Sequence, residues 1–168
     1  AAAFLGDSHF VNVVFCDVVD FSASTDQDAP AGSRGFQRAY FIGTVFEKRA
    51  IFTGRQFLAA TDFGVLRGDR TENGVRSPDK PAVFKDIPHF HGCKFHQNTS
   101  FDGAVFETPL DQEAARSFRT LKLAMEQLKA TSEEQRFFRL EMKAEHPSLP
   151  LARRWLSGLY AVCSDYGF

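Results

Sequence analysis

Phenylalanine carries the hydrophobic pattern of this chain. Fifteen of its nineteen Phe precede residue 107: Phe4, Phe10, Phe15, Phe21, Phe36, Phe41, Phe46, Phe52, Phe57, Phe63, Phe84, Phe90, Phe95, Phe101 and Phe106. Twelve of the fourteen gaps between them are five or six residues, where random placement would give about two. The mean period of 5.5 fits neither the 3.6 of a helix nor the 2 of a flat strand. The residue two before each Phe is usually small or β-branched, as at Ala39, Thr44, Ala50, Thr61, Ala82, Cys93, Thr99 and Ala104, with Arg34 and Arg55 as exceptions. In extended backbone, residues two apart share a side. Each unit therefore turns one large and one small side chain inward, and short inward-facing segments joined by tight corners make a solenoid with a column of Phe inside.

The corners are also visible. Gly43, Gly54, Gly92 and Gly103 stand two after a Phe that opens a five-residue step, and Asn12 does so after Phe10. Gly and Asn tolerate positive φ, so these positions predict corners. Residues 22–35 and 64–81 interrupt the ladder with Gly, Pro, Ser, Asp and charge, and read as surface loops. From residue 108 the period becomes helical. Thr108 is the expected N-cap, with Pro109 in the first turn and Asp111 completing the signature. Leu110, Ala114, Phe118, Leu121, Met125 and Leu128 form one apolar face. A second helix is expected from Thr131, with Pro147 and Pro150 ending it, and a third through residues 151–163. The tail has an evident task, because a solenoid end exposes unpaired backbone and apolar rings. The face around Leu121, Met125 and Leu128 is expected to lie near Phe101 and Phe106.

The stretches AYFIGTVFEKRAIFTGRQFLAATDF (39–63) and AVFKDIPHFHGCKFHQNTSFDGAVF (82–106) resemble the pentapeptide-repeat family, whose units read A-(D/N)-(L/F)-x-x. The likeness covers residues 1–107 apart from the two interruptions. It implies a right-handed quadrilateral β-helix with four short faces per coil, followed by a helical cap or tail at 108–168. Two five-residue and two six-residue faces would give a coil of 22 residues, so Phe41 should stack on Phe63 and Phe84 on Phe106. The run from residue 115 onward resembles the segment after the repeats in bacterial members that continue into membrane helices. That resemblance implies the soluble part of a longer, membrane-linked chain, cytoplasmic and close to the membrane.

Composition narrows the function. Residues 1–107 hold 13 acidic and 11 basic side chains and the whole chain has net charge -1, too little positive charge for a direct nucleic-acid binder. The three cysteines, Cys16, Cys93 and Cys163, form no CxxC and no disulfide framework, so a reducing compartment fits. His89, His91, Cys93 and His96 are the one cluster with metal-ligand residue types. On the ladder, however, Cys93 takes an inward position while His89 and His91 flank Phe90 and face outward, so no metal site is assigned. His9 and His146 stand alone. Arg153 and Arg154 beside Trp155 read as a solvated helix face, and the Arg67–Gly68–Asp69 tripeptide as ordinary loop sequence. No nucleophile–base pair, P-loop or dinucleotide fingerprint appears. The expectation is a chain without catalytic, cofactor-binding or metal residues: a structural or protein-interaction module that meets a protein partner or associates with itself through the tail. The alternative, implied by the family, is a DNA mimic that binds a type II topoisomerase; it would need a far more negative surface.

Overall fold

A computed structural model describes residues 6–23, 35–68 and 77–145. Phe4, Arg34 and the expected third helix lie outside the described residues. The body is built from two-residue strands: β1 (Ser8–His9), β2 (Val14–Phe15), β3 (Val19–Asp20), β4 (Gly35–Phe36), β5 (Ala39–Tyr40), β6 (Val45–Phe46), β7 (Ala50–Ile51), β8 (Gln56–Phe57), β9 (Thr61–Asp62), β10 (Val65–Leu66), β11 (Lys80–Pro81), β12 (Val83–Phe84), β13 (Thr99–Ser100) and β14 (Val105–Phe106). All but β10 and β11 pair in parallel. The sheets run β1-β5-β9-β13, β14-β12-β6-β2, β3-β7 and β4-β8, the last two extended by bridges from Ile51 to His89 and from Gln56 to Lys94. Apart from β10 and β11, strands that are neighbours in sequence therefore belong to different sheets.

This topology follows from the corners. Asn12, Gly43, Gly54, Gly92 and Gly103 all have φ between 56° and 72°, as their residue types predicted. Each turns the chain after one inward Phe. The small inward positions hold Ala39, Thr44, Ala50, Thr61, Ala82 and Ala104, each at most 1% exposed.

The rings form four columns. Phe10, Phe41, Phe63 and Phe101 are stacked at 4.8, 4.8 and 4.7 Å, and Phe15, Phe46, Phe84 and Phe106 at 5.3, 4.7 and 5.1 Å. Phe21, Phe52 and Phe90 stack at 5.1 and 4.8 Å, and Phe36, Phe57 and Phe95 at 5.7 and 5.1 Å. Most of these spacings are close to the roughly 4.8 Å between hydrogen-bonded strands, so the ladder itself sets the ring separation. Neighbouring columns meet edge to face, as Phe41 and Phe52 do at 5.5 Å and 87°, the arrangement that ring quadrupoles favour. Phe41 on Phe63 and Phe84 on Phe106 are the two stacks the 22-residue period predicted.

One buried side chain breaks the apolar rule. Arg55 occupies an inward small position and is 1% exposed. Its Nε donates to the Phe21 carbonyl, where the chain leaves the ladder, and its guanidinium lies 5.2 Å from the Phe36 ring. The corresponding carbonyls of Phe52, Phe90 and Phe101 accept from the backbone N–H three residues on. Where residues 22–35 interrupt the corner, the arginine reaches the carbonyl from the next level instead.

Two helices follow, α1 (Gln112–Gln127) and α2 (Thr131–Glu145). The N-cap of α1 is Asp111, not Thr108: the Asp111 carboxylate accepts from Ala114 N at 2.9 Å. Asp caps at least as well as Thr, and Thr108 is instead buried at the connection. Pro109 consequently precedes the helix, and Leu110 lies outside its buried face, 49% exposed. Ala114, Phe118, Leu121 and Met125 are buried as the period required.

The helical pair lies over the last strands, with Leu121 and Met125 in the same buried cluster as Phe101 and with Phe106 and Leu128 packed against it. Phe118 of α1 meets Phe106 edge to face at 5.6 Å, and Phe137 of α2 meets Phe101 and Phe106 at 5.4 and 5.7 Å. Two polar side chains of α2 complete the contact. Glu133 accepts from Phe101 N, while Arg136 donates to the carbonyls of Phe101 and Ala104. Buried backbone groups need partners, and here side chains supply what another strand would otherwise provide.

Candidate interaction surface

With the inward positions filled by Phe and small residues, any recognition by the body must use the outward ones. The most uniform outward column is on the four-stranded sheet β2, β6, β12 and β14. Val14, Val45, Val83 and Val105 stand in register there, Val14 at 54% exposure and the other three partly exposed. Alternation places them outward because Phe15, Phe46, Phe84 and Phe106, one residue on, point inward. β-Branched residues also suit extended backbone, so the sequence favours both the strand and the apolar stripe.

The stripe has two different borders. On one side the next outward column is Cys16, Glu47, Lys85 and Glu107. Lys85 Nζ lies 2.9 Å from Glu47 Oε1, and the hydrogen bond and charge of Glu47, helped by Glu107, raise the lysine pKa. On the other side the β10–β11 hairpin leans on the corner glycines. A Cβ on Gly43 would lie 2.9 Å from Leu66 Cβ, and one on Gly103 would collide with Val65. Lys80 Nζ fixes the hairpin to Asn12 Oδ1 at 2.9 Å, and Arg67 pairs with Asp79 at 3.0 Å. The interruption at 64–81 thus begins and ends as a wall beside the valine stripe. Asp69 is outside the described residues.

The histidine cluster separates as its alternation indicated. His89 and His91 face outward and line a cleft of about 180 Å³ with Phe90, Glu113, Arg116, Ser117 and Thr120. His89 Nε2 is 3.1 Å from Glu113 Oε1, and Arg49 Nη2 is 3.3 Å from the same oxygen. Glu113 stands in the first turn of α1, where the helix dipole favours a carboxylate; with Ser117 Oγ donating to the Pro88 carbonyl, it ties α1 to the body. Cys93 faces inward. Its Sγ donates to the Phe52 carbonyl at 3.0 Å, and burial pushes the thiol pKa up to about 12, which removes the thiolate that ligation or nucleophilic attack needs. His96 Nδ1 accepts from Asn98 N at 3.1 Å. Among the described residues no group of three or more His, Cys, Asp or Glu is placed to hold a metal ion. Cys16 is exposed. His146, Arg153, Arg154, Trp155 and Cys163 lie outside the described residues.

Compared with protein-family models, curated proteins and solved structures, the chain matches none. No helix among the described residues is long and apolar enough to cross a membrane.

Sequence reasoning missed Arg55, Glu133 and Arg136. Each lies where its residue type is least expected: a charged group against ring faces or open strand edges. Arg55 left a trace, as an exception to the small-residue rule. Glu133 and Arg136 left none, being ordinary charged residues on a helix.

Proposed function

We propose that this chain is a non-catalytic structural and protein-interaction module of the pentapeptide-repeat type, its strands forming a right-handed quadrilateral β-helix with the helical pair as its cap. The observation that carries the reading is the contrast between an interior filled by stacked Phe and an outward ladder of four valines on one of the two four-stranded parallel faces. Stacked rings fill the interior formed by the described residues, while an apolar stripe with a charged border has the make-up of a protein contact. The surroundings favour this over phosphate imitation, because Lys85 lies between Glu47 and Glu107 and breaks any acidic run on that border.

The test is cross-linking and capture from bacterial lysate with the full chain and with Val83→Arg, which places a charge in the middle of the stripe. A protein retained by the parent and lost by Val83→Arg, with the melting temperature unchanged, supports the reading. Retention that ignores substitutions on every outward face, or substrate turnover that depends on one side chain, overturns it.

A further inference from the structure

The valine stripe ends at Val105, and there it opens into a second feature. A groove of about 430 Å³ lies between β14 and α2, lined by Ala104, Val105, Phe106, Arg136, Arg139, Leu140 and Lys143. Its floor is apolar and its charge is entirely positive. Arg136 is committed to the Phe101 and Ala104 carbonyls. Arg139 and Lys143 are exposed, and among the described residues neither has a carboxylate within ion-pair distance. By contrast, Arg119 and Lys122 on α1 are each paired with Glu141 at 2.6 and 2.8 Å. Arg139 and Lys143 thus stand together beside β14 with no carboxylate paired to either among the described residues.

The geometry points to this groove as a docking site for an acidic, extended peptide segment of a partner protein, one that alternates carboxylate and apolar residues. This rests on the interaction-module reading above and names the partner's chemistry. β14 is the outermost strand of its sheet, and its N–H groups at Val105 and Glu107 bond inward to Ala82 and Phe84. Arg136 already holds the Ala104 carbonyl on that edge, so an extended segment lying between β14 and α2 would be held by its side chains rather than by a full backbone ladder. The spacing agrees. Arg139 and Lys143 are four residues apart on a helix, about 6 Å of rise, and same-side residues of an extended chain recur every 6.8 Å or so. Carboxylates at alternate positions would meet the two cations, and the residues between them would face Val105 and Leu140. The groove is open to solvent rather than enclosed, which suits a peptide chain.

The test uses the full chain and a fluorescein-labelled EVEFEVE peptide, followed by anisotropy. Binding is expected to weaken at least tenfold in Arg139→Glu/Lys143→Glu and measurably in Lys143→Ala, to be weak for the QVQFQVQ counterpart, and to fall as salt rises from about 50 to about 300 mM. Both substituted side chains are exposed, and an unchanged circular dichroism spectrum and melting temperature confirm that the variants are folded. Equal binding of the neutral peptide, or of the parent and the double variant, overturns the proposal. So does a preference of the same two residues for anionic vesicles or single-stranded DNA over the peptide. A concentration-dependent dimer that the double variant abolishes would assign the groove to a second copy and overturn it as well. If the peptide fails while Val83→Arg still loses its captured protein, the interaction-module reading stands and only the groove assignment falls.

Discussion

In the stranded body the polar backbone is satisfied chiefly by itself, strand to strand, and the side chains inside contribute hydrocarbon almost alone. Where the helical pair meets that body the division of labour is reversed: Glu133 and Arg136 bond to backbone atoms of Phe101 and Ala104, and only Phe118 and Phe137 extend the aromatic interior. The two helices also hold each other by charge, with Arg119 and Lys122 on the buried Glu141. A repeating body can add a level by copying its own pattern, since each level offers the next an identical edge. Ending the stack needs something of different chemistry. A helix has no free backbone donors along its sides, so its contribution to a strand edge has to come from side chains.

The largest effect expected from this contrast lies in the body. Phe52 is fully buried, stacked on Phe21 and Phe90 and edge-on to Phe41 and Phe63. Phe52→Ala should cost about 3–5 kcal/mol in urea unfolding. Phe95 is only partly buried and stacks on a single ring, Phe57, so Phe95→Ala should cost distinctly less. Equal costs would mean that column position does not matter.

Next comes the junction. Arg136→Leu keeps the hydrocarbon but removes the guanidinium from the Ala104 carbonyl and leaves the Phe101 carbonyl with only the Ala104 N–H, a loss of about 2–3 kcal/mol on the scale of charged hydrogen bonds. It should also raise binding of an apolar dye, as Phe101 and Phe106 become exposed. A variant as stable as the parent would show that α2 adheres by its rings alone.

The corners should rank below these and differ among themselves. Gly54→Ala meets only the left-handed backbone penalty of about 1–2 kcal/mol, because the nearest atom to a new Cβ is Ala23 Cβ at 3.5 Å. Gly103→Ala incurs the same penalty plus the collision with Val65. If the two variants melt together, the hairpin does not press on the corner.

The smallest effects are electrostatic and opposite in sign. Burial alone would raise the pKa of Glu141, but Lys122 and Arg119 outweigh it and hold the carboxyl below the ordinary glutamate value of 4.5. Its contribution is complete above that value and is lost as pH falls through the lowered one. For Glu133, burial raises the pKa against the opposing Phe101 N–H and Arg136. The folded state then holds that proton more tightly than the unfolded state, so acidification through the raised value stabilises. Melting temperatures between pH 7 and about pH 3.5 should therefore show a shallower acid loss for Glu141→Gln and a steeper one for Glu133→Gln. Shifts of the same sign would refute the opposition.

What the sequence determined by itself is whatever repeats. A spacing of five or six between Phe, a small residue two before and a Gly two after fix inward, outward and corner positions within a single unit, and identical units can only stack. That is why the rings, the five positive-φ corners and the split of His89 and His91 from Cys93 were all legible along the chain. Helical periodicity likewise identified Ala114, Phe118, Leu121 and Met125. Tertiary structure decided everything that joins unlike segments. Arg55 closes a corner opened by an interruption 20–33 residues away in sequence, Val65 and Leu66 rest on glycines of other levels, and Glu133 and Arg136 complete the edge left by Phe101 and Ala104. Asp111 also displaces Thr108 as the cap, since where α1 can start depends on where its apolar face lands. The physical reason is range: alternation and corner sterics act within a few residues, whereas an unpaired carbonyl can be satisfied by any donor that the fold brings near it, and its identity is written nowhere in the local pattern.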